Sequence, residues 1–589
     1  MPIVGDRIET TIDNFYRMVK TNCLLVDKTM MIKDFLAGKD TTLILRPRRS
    51  GKSMNMSMMH YFLSSEVGGE QTAGLFNHLA IAKEANGEFI AQHQGHYPVI
   101  AITFKDIKTN TYLDAVENIR VLIMELYREH KKILLSEALD EEDKKLFKKY
   151  LSEAISTAEL QKSLYVLSEL LFKAHHQKVM ILIDEYDSPL TCAYQYGFLD
   201  PLSLLIRNMF SAALKGNRYL EKGLITGILR VSKNELLSGL NNIELYSLFD
   251  NQYDQYFGFT EHEVIELTKK IGMNTNLNSI KQFYNGYRFG NQIIYNTWSV
   301  MHYLDKKKLS AYWVSTSSDR LLKELFLKSD NDTKDQISTL MRGESITGII
   351  SMKTSYEELM EKPDALWTLL LFAGYLTVDS KEHKDDHFIC QLRIPNREIL
   401  CQYNSIFTQW LHESLGERRY HSFLKNLLAG DIPAFTGTLG YYLMDSLSFR
   451  DIIGDKKAEN FYHGFVAGLI ASIGDTHWID SNKESGRGLY DIMITPKNHQ
   501  NSRGLIIEFK HAKKLDLIKD EAIHALQQID RLHYSTALKR YLHITQVIKI
   551  GLAFSGKEVI SAYQEEDLTT GTTSELLLSP RYYRDNLDE

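Results

Sequence analysis

Four short apolar runs punctuate the first half of the chain: Leu43–Leu45, Pro98–Phe104, Val179–Ile183 and Gly223–Leu229. None alternates strictly with polar residues. Such runs read as strands buried on both faces, the habit of a parallel sheet covered by helices. Helical patterning separates them. A Met-rich helix is expected from about Met54, and Ile107–Leu171 is mostly helical, with charge runs around Glu141–Lys149 that read as solvated surface. Upstream, Asp13–Val19 and Met30–Leu36 read as helices flanking a strand at Cys23–Val26. The fold class this predicts is α/β.

After the fourth run the period changes. Thr260-Glu261-His262-Glu263 has the form of a capping box and should open a helix. Tyr284–Phe289 and Tyr312-Trp313 read as aromatic turns packed in a helical lid, Trp367–Thr377 as a buried helix or strand pair, and Asn404–Leu447 as helical. From Lys456 a second α/β pattern begins. It holds an amphipathic helix over Ala458–Ile473, a polar stretch over Ser481–Gly488, strands at Leu489–Ile494 and Gly504–Lys510, and a helix carrying Gln527 and Gln528. The divisions expected are 1–258 for the first α/β domain, 259–420 for the helical lid or linker, and 421–589 for the C-terminal domain.

The first strand runs into Arg46-Pro47-Arg48-Arg49-Ser50-Gly51-Lys52-Ser53 and then the Met-rich helix. Strand, loop ending in Gly-Lys-Ser, and helix is the layout of a phosphate-binding P-loop. Backbone N–H groups face the phosphates, Lys52 reaches the β- and γ-phosphates, and Ser53 takes a place on Mg²⁺. Arg46 stands where the usual pattern has its first Gly. A bare Gly-Lys-Ser/Thr arises by chance roughly 0.3 times in a chain of this length, so the loop needs support. Asp184-Glu185, at the end of the third run, gives it. Asp184 is placed to hold the Mg²⁺ shell and Glu185 to polarise a water. On the fourth run Thr226 sits where a γ-phosphate sensor belongs. Arg230 either touches phosphate, in its own or a neighbouring subunit, or forms a surface ion pair.

The second pattern carries its own candidate chemistry. Asp491 lies on one strand, and Glu508 and Lys510 lie two apart on the next, on one face. This is the arrangement of PD-(D/E)xK nucleases. Asp491 and Glu508, with the Phe509 carbonyl, supply hard oxygen ligands for Mg²⁺, and Lys510 orients water or stabilises charge. Glu459 on the preceding helix and Gln528 on the following one are supporting residues. The competing reading is a solvent-facing Glu-x-Lys ion pair on a hairpin.

Composition narrows the classes. Of 589 residues, 44% are hydrophobic and 24% charged, with a net charge of −6, which argues against a generally basic nucleic-acid coat but not against a local basic groove. Cys23, Cys192, Cys390 and Cys401 are scattered without a CxxC pair, so neither a zinc knuckle nor a disulfide framework is supported. The N-terminus lacks the basic and apolar regions of a secretory signal, and Leu366–Val378 is too short to span a bilayer. A cytoplasmic protein without a membrane segment is expected.

Several stretches together resemble a bacterial family of AAA-like ATPases with a C-terminal PD-(D/E)xK nuclease-like domain. They are Val26-Asp27-Lys28-Thr29, the Arg46–Ser53 loop, Leu182–Pro189, Thr226–Lys233, Phe257–Thr260 and the Asp491/Glu508/Lys510 set. The family also lacks the first P-loop Gly and has the Arg-Pro-Arg-Arg run; Ser50 departs from it, since relatives usually carry an aromatic residue there. The resemblance implies a P-loop NTPase core with helical insertion and lid, followed by an α/β nuclease-like domain. ATP and Mg²⁺ are the implied cofactors, DNA or RNA the implied partner, and a homo-oligomer the implied assembly. The alternatives are an ATP-switched module that grips nucleic acid or protein without cutting, and a phosphotransferase that needs only the P-loop.

Overall fold

The computed structural model describes residues 2–580 apart from 153–154, 230–241, 274–276, 314–330, 342, 353–362, 416, 447–454, 471–472, 474–475 and 486–487. The chain forms two compact units: unit 1 is Met1–Val314 with Thr347–Ile399, and unit 2 is Ser315–Ile346 with Leu400–Glu589.

Unit 1 is built on a parallel sheet. Its first strand, β1 (Thr41–Leu45), is buried along its whole length and feeds helix α1 (Lys52–Leu63). The helix begins two residues before the expected Met54, because Gly51 at φ +90° turns the chain into it. Next comes β2 (Val99–Thr103). The helical insertion resolves into α2 (Tyr112–Glu129), α3 (Glu141–Tyr150) and α4 (Thr157–His175). Tyr127 of α2 stacks on Tyr150 of α3 and donates its hydroxyl to Ser163 O of α4, so the insertion has a packed core of its own. Strands β3 (Val179–Asp184), β4 (Leu220–Gly227) and β5 (Ile243–Tyr246) complete the sheet in the order β2-β3-β4-β1-β5, all parallel. The register pairs Ile44 with Thr226 and Ile183 with Ile225. The carboxyl ends of β1, β4 and β3 therefore lie side by side, where open α/β sheets bind ligands.

Thr260 and Glu263 form the expected capping box at the start of α5 (Glu261–Lys270). Glu263 is also paired with Lys28: Nζ donates to both carboxylate oxygens at 2.7 and 2.8 Å, with both side chains buried. Tyr287–Phe289 is a strand, not a turn; Tyr287 and Phe289 are buried and Arg288 is exposed, a period of two that pairs it with Gln292–Tyr295. Helix α6 (Thr297–Lys306) follows. The expected buried element near Trp367 is a helix, Pro363–Ala373, ahead of the hairpin Thr377–Lys384/His387–Arg393.

The stretch expected to be helical over 404–447 resolves into Arg397–Leu415, Glu417–Ala429 and Ile432–Ser446. In unit 2, α7 (Asp455–Ile470) precedes a six-stranded sheet. Its strands are β6 (His477–Ser485), β7 (Gly488–Pro496), β8 (Arg503–His511), β9 (Gln546–Ser555), β10 (Glu558–Asp567) and β11 (Leu577–Leu578), lying in chain order. The pairs are antiparallel except β8–β9, whose parallel crossover contains α8 (Ile518–Arg531). Most of the polar stretch 481–488 belongs to β6; an edge strand tolerates polar residues that a central strand would not. Helix α8 crosses β9 closely at Gly551, where a Cβ would lie 2.3 Å from Ala522 O and 2.5 Å from Leu526 N. Lys549 on β9, buried, reaches Asp530 at 2.5 Å and Glu566 at 2.7 Å and ties down the end of α8.

Candidate functional site

The Arg46–Ser53 loop springs from the end of β1, and Arg46 N–H donates to Gly227 O at the end of β4 at 3.1 Å. Arg49 at φ +60° and Gly51 at φ +90° curl the loop so that backbone N–H groups share one concave side. No atom lies within 4 Å of where a Gly51 Cβ would stand, so that side is open. Lys52 Nζ donates to Arg46 O (3.1 Å) and Pro47 O (2.8 Å). Burial pulls its pKa down, and the carboxylates of Glu185, Asp184 and Asp187 oppose that. Ser53 Oγ donates to Asp184 Oδ2 at 2.7 Å, and Thr226 Oγ1 donates to Asp184 Oδ1. Burial raises the Asp184 pKa against those two hydrogen bonds. Glu185 has φ +51°, uncommon for a residue with a side chain, and its Oε2 accepts from Ser188 Oγ at 3.0 Å.

The structure thus gathers Lys52, Ser53, Asp184, Glu185 and Thr226 at one point. It separates the arginines. The Arg46 guanidinium is fully buried away from the loop's open side. It donates to Leu45 O (2.9 Å) and Ser247 O (2.7 Å) and lies over the Phe257 and Phe289 rings. Burial lowers its pKa to about 10. What Arg46 lends the loop is its carbonyl. Arg48 is half-buried near Lys52. Arg49 donates to Trp313 O at 2.5 Å and lies over the Trp298 ring at 4.8 Å. Ser50 Oγ braces the loop on Pro47 O at 2.8 Å, and its carbonyl accepts Gly258 N–H. Arg230 lies outside the described residues.

A cavity of about 320 Å³ faces Gly51, Lys52 and Ser53 on one wall and Leu24, Trp298 and Met301 on another. The loop and an apolar surface share it, which suits a nucleotide's phosphates and base. Sequence reasoning passed over three contributors. Asp187 Oδ2 accepts the Ile228 and Leu229 N–H groups, both at 3.0 Å, and so fixes the chain after Thr226. Glu398 is buried and accepts Trp313 N–H and Ser299 Oγ–H, both at 2.7 Å. Lys28 holds α5 through Glu263. Asp187 stands in the quoted motif three residues after Asp184, so its signal was available; nothing local marks Glu398.

In unit 2, β7 and β8 pair from Ile494↔Leu505 to Ile492↔Ile507. Just beyond that pair, Phe509 N–H donates to Asp491 Oδ2 at 2.8 Å. Glu508, 2% exposed, accepts Gln528 Nε2–H on Oε1, while its buried Oε2 has no hydrogen-bond partner among the described residues. Burial and then the Asp491 charge push the Glu508 pKa well above the usual carboxylate range. Burial also raises Asp491 and Glu459. Lys510 Nζ is 3.0 Å from Glu459 Oε1, 3.2 Å from Phe509 O and 4.0 Å from Glu508 Oε1. His463, one turn after Glu459, places Nε2 3.1 Å from Asp491 O.

Two interacting carboxylates, Glu508 buried and Asp491 half-buried, with one oxygen of Glu508 unpaired among the described residues, fit a divalent cation, which would relieve their repulsion. No cluster of three His, Cys, Asp or Glu side chains poised for a metal occurs among the described residues. The donor set here is two carboxylates and a carbonyl.

Comparison with known proteins finds a family match over each of the two regions. Residues 9–237 match the family described as Predicted AAA-ATPase. Residues 457–564 match the PD-(D/E)XK nuclease superfamily. The chain therefore joins an AAA-ATPase-like domain to a PD-(D/E)XK nuclease-like domain. It is also similar to an "Uncharacterized protein in vnfD 5′region" of Azotobacter chroococcum mcd 1, 25% identical over 321 residues. The match spans 52% of this chain and 57% of that protein. No described helix is long and apolar enough to cross a membrane.

Proposed function

We propose that the protein is an ATP-hydrolysing AAA-like module coupled to a metal-dependent nuclease-like module acting on nucleic acid, divided functionally into 1–258, 259–420 and 421–589. The observation that carries the reading is the convergence of Ser53 and Thr226 on the two oxygens of Asp184 beside Lys52. Lys52 and the loop N–H groups bind the phosphates of ATP. Ser53 and Asp184 would hold Mg²⁺, Glu185 would orient the attacking water, and Thr226 would read the γ-phosphate. In unit 2, Asp491 and Glu508 would hold one or two Mg²⁺ ions. The metal, when bound, supplies a water of lowered pKa and neutralises charge on the phosphodiester. Lys510, steadied by Glu459, orients that water, and Gln528 fixes the rotamer of Glu508. A homo-oligomer and a cytoplasmic setting complete the reading by analogy of fold.

A specific observation favours each alternative. Glu508 is engaged by Gln528 and Lys510 by Glu459, the state expected of a fold that grips without cutting. A second cleft of about 910 Å³ meets the loop at Ser53 and Asp184 and offers room for a phosphoryl acceptor other than water.

The test is purified protein with Mg²⁺ or Mn²⁺ and a mixture of DNA and RNA, with and without ATP, read on a gel alongside release of labelled γ-phosphate. Cleavage and free phosphate support the proposal. ATP turnover without cleavage leaves the switched-binding reading, and label on another molecule identifies a phosphotransferase.

A further inference from the structure

The exposed side of unit 2 beyond η-turn Tyr534–Arg540 carries an aromatic surface that the nuclease-like site does not use. Trp478 on β6 stacks on Tyr541, ring centroids 5.7 Å apart and planes 23° apart. His543 meets Tyr541 edge-on at 6.3 Å and stacks on His499 at 4.4 Å and 9°. Four rings thus follow one another in contact. Rings that serve only packing are covered; Trp478 leaves 41% of its surface exposed, and Leu542, set between Tyr541 and His543, leaves 94%.

Cations edge the rings, with Asp480 facing Arg540 and Glu566 facing Lys539. Arg540 lies over Tyr541 at 5.1 Å, and Lys539 and Lys497 are exposed beside it in sequence and in the β7 turn. Asp480, the carboxylate bordering the shelf, is 3.7 Å from Arg540. Ring faces edged with cations suit a ligand that is both aromatic and anionic. A peptide strand offers no such repeat. A duplex hides its base faces in its own stack, whereas an unpaired strand presents each base for stacking and a phosphate for each cation.

The shelf is connected to the cleavage site. Trp478 pairs with Thr495 of β7, and Thr495 is four residues from Asp491 on the same strand, about 13 Å at a strand's rise per residue. The 3-10 turn carrying Arg540 follows directly on α8, which carries Gln528.

We propose that Trp478, Tyr541, His543 and His499 form a stacking shelf for the unpaired bases of single-stranded nucleic acid, whose backbone is guided by Arg540 and its neighbouring lysines. The assignment of the strand as substrate rests on the nuclease reading; the binding does not. The shelf holds a single-stranded tail or flap while the adjoining phosphodiester lies at Asp491 and Glu508.

The test is fluorescence anisotropy of the full chain with a labelled 20-nucleotide strand, and with the same strand in a duplex, in EDTA and without nucleotide. The single strand should bind at least about tenfold tighter than the duplex. Trp478→Ala should weaken single-strand binding by about 5- to 100-fold, while Trp478→Phe should retain most of it. Leu542→Asp alters a side chain that is 94% exposed and has little packing to lose, and it should also weaken binding by placing an anion on the shelf while leaving the melting temperature within about a degree of wild type. Equal binding of strand and duplex, or equal binding by wild type, Trp478→Ala and Leu542→Asp, overturns the proposal. Cleavage and single-strand binding both unaffected by Trp478→Ala would reject the shelf and keep the nuclease. Trp478-dependent binding without cleavage under Mn²⁺ would keep the shelf and reject the nuclease.

Discussion

Asp491 accepts the backbone N–H of Phe509 at 2.8 Å, just past the point where β7 and β8 pair. The strand fork and the carboxylate are one device: the N–H orients Asp491 beside Glu508. Mn²⁺ should therefore raise the melting temperature of wild type. One hundred times its Kd corresponds to about 2.7 kcal/mol of stabilisation. Asp491→Ala should lose that rise and any cleavage while leaving ATP hydrolysis largely intact. Lys510→Ala should keep the rise and lose cleavage. A wild-type protein indifferent to Mn²⁺ in melting experiments would sink the nuclease assignment.

At the P-loop, binding and turnover should separate. Lys52→Ala removes the charge that meets the phosphates and should abolish ATP binding in a filter or fluorescence assay. Glu185→Gln should bind ATP normally and hydrolyse it about 10²- to 10⁴-fold more slowly, the usual effect of losing a general base. Wild-type hydrolysis by Glu185→Gln would show that another group orients the water.

Lys28 and Glu263 are a buried pair, and breaking it from one side strands a charge. Lys28→Met should destabilise unit 1 by about 3–5 kcal/mol in denaturant unfolding. Lys28→Met with Glu263→Leu should recover part of that loss, though not the share Glu263 contributes by accepting Thr260 N–H at 2.8 Å.

Glu398 gives a pH dependence of known sign. Burial pushes its pKa to about 7 in the fold, above the 4.5 of the free side chain, with the Ser299 and Trp313 hydrogen bonds opposing the rise. The folded state then holds the proton more tightly than the unfolded state. Its contribution is fully present below pH 4.5 and is lost as pH rises through about 7. Glu398→Gln should flatten that segment of the stability–pH curve relative to wild type. An unchanged slope between pH 5 and 7 would assign the dependence to other groups.

Much of this was readable from the sequence because the signals are local. Continuous apolar runs mark four of the five strands of the parallel sheet, all but the short, partly exposed edge strand β5, and Thr260 with Glu263 marks the cap of α5. Gly-Lys-Ser and Asp-Glu, each at the carboxyl end of a run, gave the two halves of the P-loop site. Spacing also brought Glu508, Lys510 and Asp491 together. What escaped was long-range. Arg46 occupies a phosphate-loop position, yet its guanidinium serves carbonyls some 200 positions later; no pattern within the loop announces that. Glu398 acts on Trp313 across 85 positions. Tyr287–Phe289 reads as a turn in the sequence because three residues are too few for alternation to register, yet it is a strand.

Unit 2 is assembled from two stretches, with Thr347–Ile399 of unit 1 between them. A ribosome thus releases the first piece of unit 2, including helix Asn331–Met341, before the last hairpin of unit 1 has been made. That piece must wait for the rest of its unit while the chain of unit 1 is completed. A chain that opens at residue 421 leaves helix Asn331–Met341 of unit 2 behind, so no single cut separates the two units.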